Sequence, residues 1–203
     1  MDAASETDLR AARPEDARAI ADILCDAFTG DPVMSWMFGR AEPPYALFHE
    51  LARCVYLARG FGHVIEDKAA TLWLPAGEKP FLPFLGEARL ALALAGHSGL
   101  SGLARAKHCG DIVSAHHPAA PHYYLFAVGV RDGHKGKGHG GRVLREGLKR
   151  VDEAAEIAYL ENSKPRNTPL YQRLGFEPGD LLPLPKGAPP LLAMTRGARS
   201  RLN

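Results

Sequence analysis

The stretch YYLFAVGVRDGHKGKGHGGRVLREGLKRV, Tyr123 to Val151, packs four glycines into six residues (Gly136, Gly138, Gly140 and Gly141) between an apolar run and an amphipathic one. Glycines at that density let a backbone approach a bulky polyphosphate with no side chain in between. Where such a loop joins a strand to a helix, outward N–H groups and the helix dipole make an anion site. The chemistry implied is the binding of a phosphorylated cofactor. Lys137 and Arg142 are candidates for phosphate contacts, or ordinary solvated charges, and His139 reads as an exposed loop residue. Further on, Glu161 is a carboxylate at the end of the next apolar run. Partial burial there would suit it to accept a proton near neutral pH; alternatively it binds a loop amide or pairs with Arg166.

Three histidines, His116, His117 and His122, lie just before the central apolar run and form a second candidate base; a water chain is a third. Imidazoles also suit zinc, but no fourth ligand or regular spacing accompanies them. No metal is expected.

The elements that must position these groups alternate between helix and strand. Pro14, with Glu15 and Asp16 behind it, opens a helix whose apolar stripe is Ile20, Ile23, Leu24, Ala27 and Phe28. DPVMSWMFG is a short helix or turn, and Pro43–Pro44 starts another helix. Strands are predicted at 62–66 and 70–74, and residues 78–117 read as a helical insertion or lid. A strand over 123–130, a helix from Gly141 to about Glu153 and a strand over 157–161 form the central unit. A helix over 169–174, ended by Gly175, and two closing strands around the proline-rich run 182–190 complete one α/β domain spanning 1–203. The strands at 123–130 and 157–161 should be parallel neighbours joined by a right-handed crossover. Gly129, inside the first of them, marks a bulge or a close backbone approach, or merely relieves packing.

Gly136-x-Gly138-x-x-Gly141 also fits a dinucleotide fingerprint, with Glu161 about 20 residues on as the ribose-binding acid. That fold wants its first glycine directly after the strand. Here five residues separate Val130 from Gly136, and only 42 follow Glu161, too few for the rest of a doubly wound sheet. No Gly-Lys-Ser or Gly-Lys-Thr is present for a Walker loop.

Lys135-Gly-Lys-Gly138-His-Gly140 resembles the Arg/Gln-x-x-Gly-x-Gly/Ala pyrophosphate loop of the GNAT acyl-CoA N-acyltransferases. LENSKPRNTPLYQRLGFEP, Leu160 to Pro178, is similar to that superfamily's second half, with its Arg-Asn pair and Tyr-x-x-x-Gly-Phe. HHPAAPHYYLFAVGV and LENSKPRN resemble the puromycin N-acetyltransferase-like branch. Lys135 departs from the usual arginine or glutamine, and a lysine donates only as a point charge. The resemblance implies a mixed central sheet of about six to seven strands flanked by helices, its central parallel strands splayed. Coenzyme A would lie between those strands, with Val128, Gly129 and Val130 pairing with the pantetheine arm. The Val130 amide would stabilise the oxyanion, Asn167 would bind the arm or cap the following helix, and Tyr171 would protonate the leaving thiolate or pack behind the acyl group. The reaction implied is transfer of acetyl from acetyl-CoA to an amine, of a small molecule first and of a protein or peptide second. An acyl-CoA-binding sensor of the same fold is the non-catalytic alternative. The acceptor pocket would be lined by the first helices, with Phe28, Asp31 and Trp36 as candidates. Asp31 also reads as turn chemistry, and Trp36 and Phe38 as core.

Bulk properties suit a compact enzyme acting as monomer or homodimer. At 203 residues, 46% hydrophobic, the chain can bury a sizeable core. A net charge of +2 implies neither a nucleic-acid nor a membrane partner. Three scattered cysteines, Cys25, Cys54 and Cys109, point to a reducing, cytoplasmic compartment. The acidic, polar start MDAASETD is unlike a secretory signal. The run from Phe81 to Leu103 is interrupted by Glu87, Arg89 and His97, which argues against a membrane span.

Overall fold

The computed structural model describes residues 8–199. Nearly all of the acidic start, residues 1–7, lies outside the described residues. Pro14 fixes the first turn as expected: a single 3-10 turn, Pro14–Asp16, leads into α1, Ala17–Phe28. The Asp16 carboxylate accepts from the Arg13 amide at 2.7 Å and pairs with Arg10. Ile20, Ile23 and Leu24 of the predicted stripe are wholly buried. Asp31 caps α2, Pro32–Phe38, and Gly39 ends it in the left-handed region. α3, Tyr45–Leu51, runs through a π turn, Ala52–Tyr56, into the single turn α4, Leu57–Arg59.

Seven strands form one mixed sheet in the order β1-β2-β3-β4-β5-β7-β6. They are β1 (Leu9–Ala11), β2 (Phe61–Ile65), β3 (Ala69–Leu74), β4 (His122–Val130), β5 (Ile157–Asn162), β6 (Glu177–Leu181) and β7 (Leu192–Arg196). β1 is not evident from the sequence, because three residues are too few to show an alternation. Among the described residues only β4 and β5 run parallel; every other pair is antiparallel. That mixed topology overturns the dinucleotide-enzyme reading, which requires successive parallel βαβ units.

The crossover between β4 and β5 is α6, His139–Ala154, which begins two residues before the expected Gly141. α6 and α7 (Thr168–Arg173) cover one face, burying Trp73, Leu125, Leu144, Leu148, Leu160 and Phe176 together. α1, α3 and the π turn cover the other face, over Leu72, Leu74, Tyr124 and Tyr159. The predicted helical insertion is one long element, α5 (Phe84–Ala115), broken at Gly99, where φ 69° and ψ 180° require a residue without a Cβ. Its second half packs on α2, where Arg105 Nε donates to the Met37 carbonyl at 2.9 Å.

Two irregularities in β4 shape the centre of the sheet. Leu72 faces Ala127 and Trp73 faces Leu125, so Phe126 is the extra residue of a bulge. Of the readings the sequence leaves for Gly129, the bulge is not realised, whereas close approach and packing relief are. Gly129 pairs in register with Ala70, and a Cβ there would meet Leu24 Cδ2 at 2.8 Å and Ala27 Cβ at 2.9 Å. It is a glycine because α1 packs directly on it. The second irregularity is the splay: β4 and β5 pair at His122–Ile157, Tyr123–Ala158 and Tyr124–Tyr159, and then part.

Candidate active site

A cavity of about 300 Å³ opens where β4 and β5 separate. Tyr124 to Val128 form one wall and Leu160 to Lys164 the other; Asn167, just before α7, and Tyr171, within it, close the cavity, while α1, α2, α3, α5 and Leu191 supply the rest. Of the residues singled out in the sequence, Phe28, Asp31, Val128, Glu161, Asn167 and Tyr171 all meet here.

Glu161 stands at the cavity wall with its side chain almost buried. The Tyr124 hydroxyl donates to its Oε2 at 2.9 Å, and His117 Nε2 lies 3.4 Å from Oε1. Arg166 is not its partner. His117 Nδ1 is in turn 3.0 Å from His122 Nε2, and His122 Nδ1 is 2.9 Å from the Ala120 carbonyl. His117 and His122 are thus hydrogen-bonded to each other, with His117 at ion-pair distance from the carboxylate, while His116 turns back to the Ile112 carbonyl. Among the described residues no cluster of three or more His, Cys, Asp or Glu side chains suits a metal ion. Burial favours the neutral form of His122. Sequence reasoning missed Tyr124, whose register opposite Tyr159 decides that its hydroxyl meets Glu161.

Tyr171 is buried at 6% exposure, and burial followed by the Asp31 carboxylate pushes its phenol well above the usual range. It keeps its proton at neutral pH and has one to donate. A thiolate generated beside it would be just as poorly solvated, which raises the proton affinity of the sulfur as well. Asn167 ends a 3-10 turn, Pro165–Asn167, and makes no side-chain cap bond to α7. The capping alternative thus fails in the structure, and Asn167 lines the cavity. Gly175, with φ +90°, follows the last turn of α7 as expected.

Asp31 is 1% exposed and already engaged. Its Oδ1 accepts the Val33 and Met34 amides at 3.0 and 3.1 Å, and its Oδ2 accepts the Ser163 hydroxyl at 2.6 Å with Lys164 Nζ 3.7 Å away. Burial lowers the pKa of Lys164. Asp31 is thus a helix cap that borders the cavity rather than a free charge. Trp36, expected as a substrate contact, does not line the cavity; it packs among the apolar residues shared by α2 and α5, because it lies on the far face of a two-turn helix.

The glycine loop leaves β4 at Arg131, whose amide donates to Lys68 O, and is tied to α1 by the Asp132 amide on Asp26 Oδ2 at 2.7 Å. Gly136 and Gly138 both take positive φ, +78° and +84°, and Gly138 caps α6. First-turn amides of a helix have no intrahelical acceptor, so those at the start of α6 remain available. Lys137 is exposed at the loop, and Lys135 pairs with Asp132. Two expectations are corrected. His139 is buried at 7% exposure, since α6 starts at it and turns the ring inward. Arg142 is not simply solvated; its Nη2 lies 2.7 Å from Asp8 Oδ1, an acid too far away in sequence to have been connected with it. Val130 does not line the cavity: its side chain packs with Ile65, Ala69 and Val143, beside Gly140.

The acetyltransferase (GNAT) family profile matches residues 44–176, well over half of the chain. The chain belongs to that family. Solved structures share the architecture. A Corynebacterium glutamicum protein described as histone acetyltransferase HPA2 and related acetyltransferase is 24% identical, with TM-score 0.69 and coverage of 96% of this chain and 98% of that one. The Drosophila melanogaster polyamine N-acetyltransferase is 16% identical, with TM-score 0.57 over 94% and 100% of the two chains. Arylalkylamine N-acetyltransferase 2 of Aedes aegypti is 9% identical, with TM-score 0.63 over 94% and 99%. At these identities the likeness is one of fold. No helix among the described residues is long and apolar enough to cross a membrane.

Proposed function

We propose that this GNAT protein transfers an acetyl group from acetyl-CoA to the primary amine of a small molecule, by direct attack of the amine on the thioester. The observation that carries this is the splay: β4–β5 pairing stops at Tyr124, and the wedge beyond it holds one carboxylate acceptor and one protonated phenol. Residues 135–141 would grip the diphosphate with main-chain amides and Lys137. The pantetheine arm would run along the open edge of β4 and take a hydrogen bond from the free Asn167 amide. Agmatine, polyamine and arylalkylamine enzymes among the structural neighbours support a small amine as acceptor.

Glu161 takes the ammonium proton, and His117 and His122 extend from it toward the surface as the path by which that proton leaves. The amine nitrogen then bonds to the carbonyl carbon. The developing oxyanion is met by a main-chain N–H on the edge of β4 that faces β5, at Val128, which lines the cavity, or at Val130, two residues on. As the tetrahedral species collapses, the C–S bond breaks, the Tyr171 proton passes to sulfur, and the second proton that nitrogen loses as the amide forms restores the phenol. Preorganised groups in a cavity poor in water are where such electrostatics act most strongly.

Free-thiol release over a panel of amines tests the reaction, with thermal shifts read alongside, since a ligand stabilises only the fold that binds it. Thiol release with small amines and stabilisation by acetyl-CoA are expected. Stabilisation without thiol release for any amine would instead favour an acyl-CoA sensor, and release only with peptide amines would favour a protein acceptor.

A further inference from the structure

The acceptor side of the cavity is apolar almost throughout. Beyond Glu161, its wall is made by Met34, Met37, Phe38, Leu47, Val113 and Phe126. The Phe126 bulge re-aims that ring, which stacks on Tyr56 at 4.4 Å between centroids. Two carboxylates border the chamber, and they are not equivalent. Asp31 is matched by two backbone amides, a hydroxyl and Lys164. Glu161 has the Tyr124 hydroxyl, Tyr159 and His117 about it, none of which is a fixed cation. The chamber thus offers one carboxylate without a fixed cation, and the walls from α2, α3, α5 and Phe126 hold no acid to receive a second cation.

We infer that the acceptor is an amphiphilic monoamine, a single primary ammonium group on an unbranched alkyl or aryl-alkyl body, rather than a diamine, polyamine or guanidino amine. The ammonium sits at Glu161 and the apolar body fills the space between α2, α5 and Phe126. A second cation placed there would be stripped of water with no partner, a cost that apolar burial does not offset. This inference rests on the acyl-transfer reading above and specifies its substrate.

The test measures kcat/KM with acetyl-CoA for the n-alkylamines from ethylamine to octylamine, for phenethylamine, and for agmatine and spermidine, while calorimetry follows acetyl-CoA binding separately. Each methylene entering the chamber should raise kcat/KM by about 4-fold, the factor that ~0.8 kcal/mol per buried CH₂ implies, until the chamber is full. Agmatine and spermidine should fall at least ~100-fold below the best alkylamine, as the loss of several methylenes' worth of burial would give. Val113→Trp, which narrows the chamber from α5, should move the plateau to shorter amines and leave acetyl-CoA binding unchanged; if that variant does not fold, the wild-type series decides alone. A flat chain-length profile, or agmatine and spermidine matching hexylamine, overturns this inference while leaving acyl transfer intact. A rate that rises with acyl length, hexanoyl-CoA over acetyl-CoA, overturns it equally, since the chamber then belongs to the donor. Absence of thiol release with every amine overturns the transfer reaction itself, and this inference with it.

Discussion

The glycine loop and the apolar chamber lie along the same strand, yet they are built in opposite ways. The loop is a local object: twelve consecutive residues, Arg131 to Arg142, carry its glycines, its cations and the helix start it needs. The chamber has no local existence. Its walls come from α1, α2, α3, α5, β4, β5 and α7, brought together only when the sheet forms. A site for the invariant part of a reaction can be made from one segment. A site that selects a substrate needs a surface no single segment has, and changes to either should have separable effects.

Glu161→Gln keeps the shape of the chamber and removes its acceptor of protons. We expect kcat/KM to fall ~10²–10³-fold, the range of a lost general base, with acetyl-CoA binding unchanged by calorimetry. An equal loss of acetyl-CoA affinity would show that the two regions are not separable. Tyr171→Phe should lower kcat ~10–10²-fold with little change in KM for either substrate. A variant that retains most of its turnover would leave Tyr171 with a packing role only.

On the loop side, Gly138→Val forces a branched side chain into φ +84°. The strain of roughly 1–2 kcal/mol should appear as a Tm lower by about 3–6 °C. A larger loss should appear in acetyl-CoA affinity, while amine selectivity among the turnovers that remain stays the same. Altered selectivity would mean that the loop and the chamber communicate.

The smallest effect is one of pH, and both regions contribute to it. Burial holds the pKa of His139 at the loop and of His122 at the chamber below the ordinary value, and His63 behaves alike. Below about 6.5 the unfolded chain takes up protons that these folded rings resist. Stability should therefore rise with pH through the window just below that value and be lost as pH falls through it. The depressed carboxyl of Asp8, held down chiefly by its hydrogen bond to Arg142, acts in the same direction but only below about 4. A Tm that stays flat from pH 7 to 5.5 would contradict this, and His139→Gln should remove part of the slope.

The same division explains what can be read from the sequence alone. The loop, the α6 crossover and the Tyr171–Gly175 segment are legible because spacing along the chain carries them. The helical stripe of α1 and the strands β2 to β5 come through for the same reason, as their periodicities are local. The partner of Arg142 is not legible, since Asp8 reaches it from the far end of the sheet. Nor is the burial of His139, which depends on where α6 begins, or the role of Tyr124, which depends on the register of β4 against β5. Trp36 shows the limit from the other side: residue type suggests a contact, and packing between α2 and α5 takes it away from the cavity.

The central claim is that the opening between β4 and β5 holds a thioester between Glu161 and Tyr171. A crystal structure with bound coenzyme A tests it most directly. The expected result is the diphosphate on the amides of residues 135–141, the pantetheine along Val128, and the sulfur within hydrogen-bond reach of the Tyr171 hydroxyl. Coenzyme A bound outside that opening, or a sulfur beyond the reach of that hydroxyl, would contradict it.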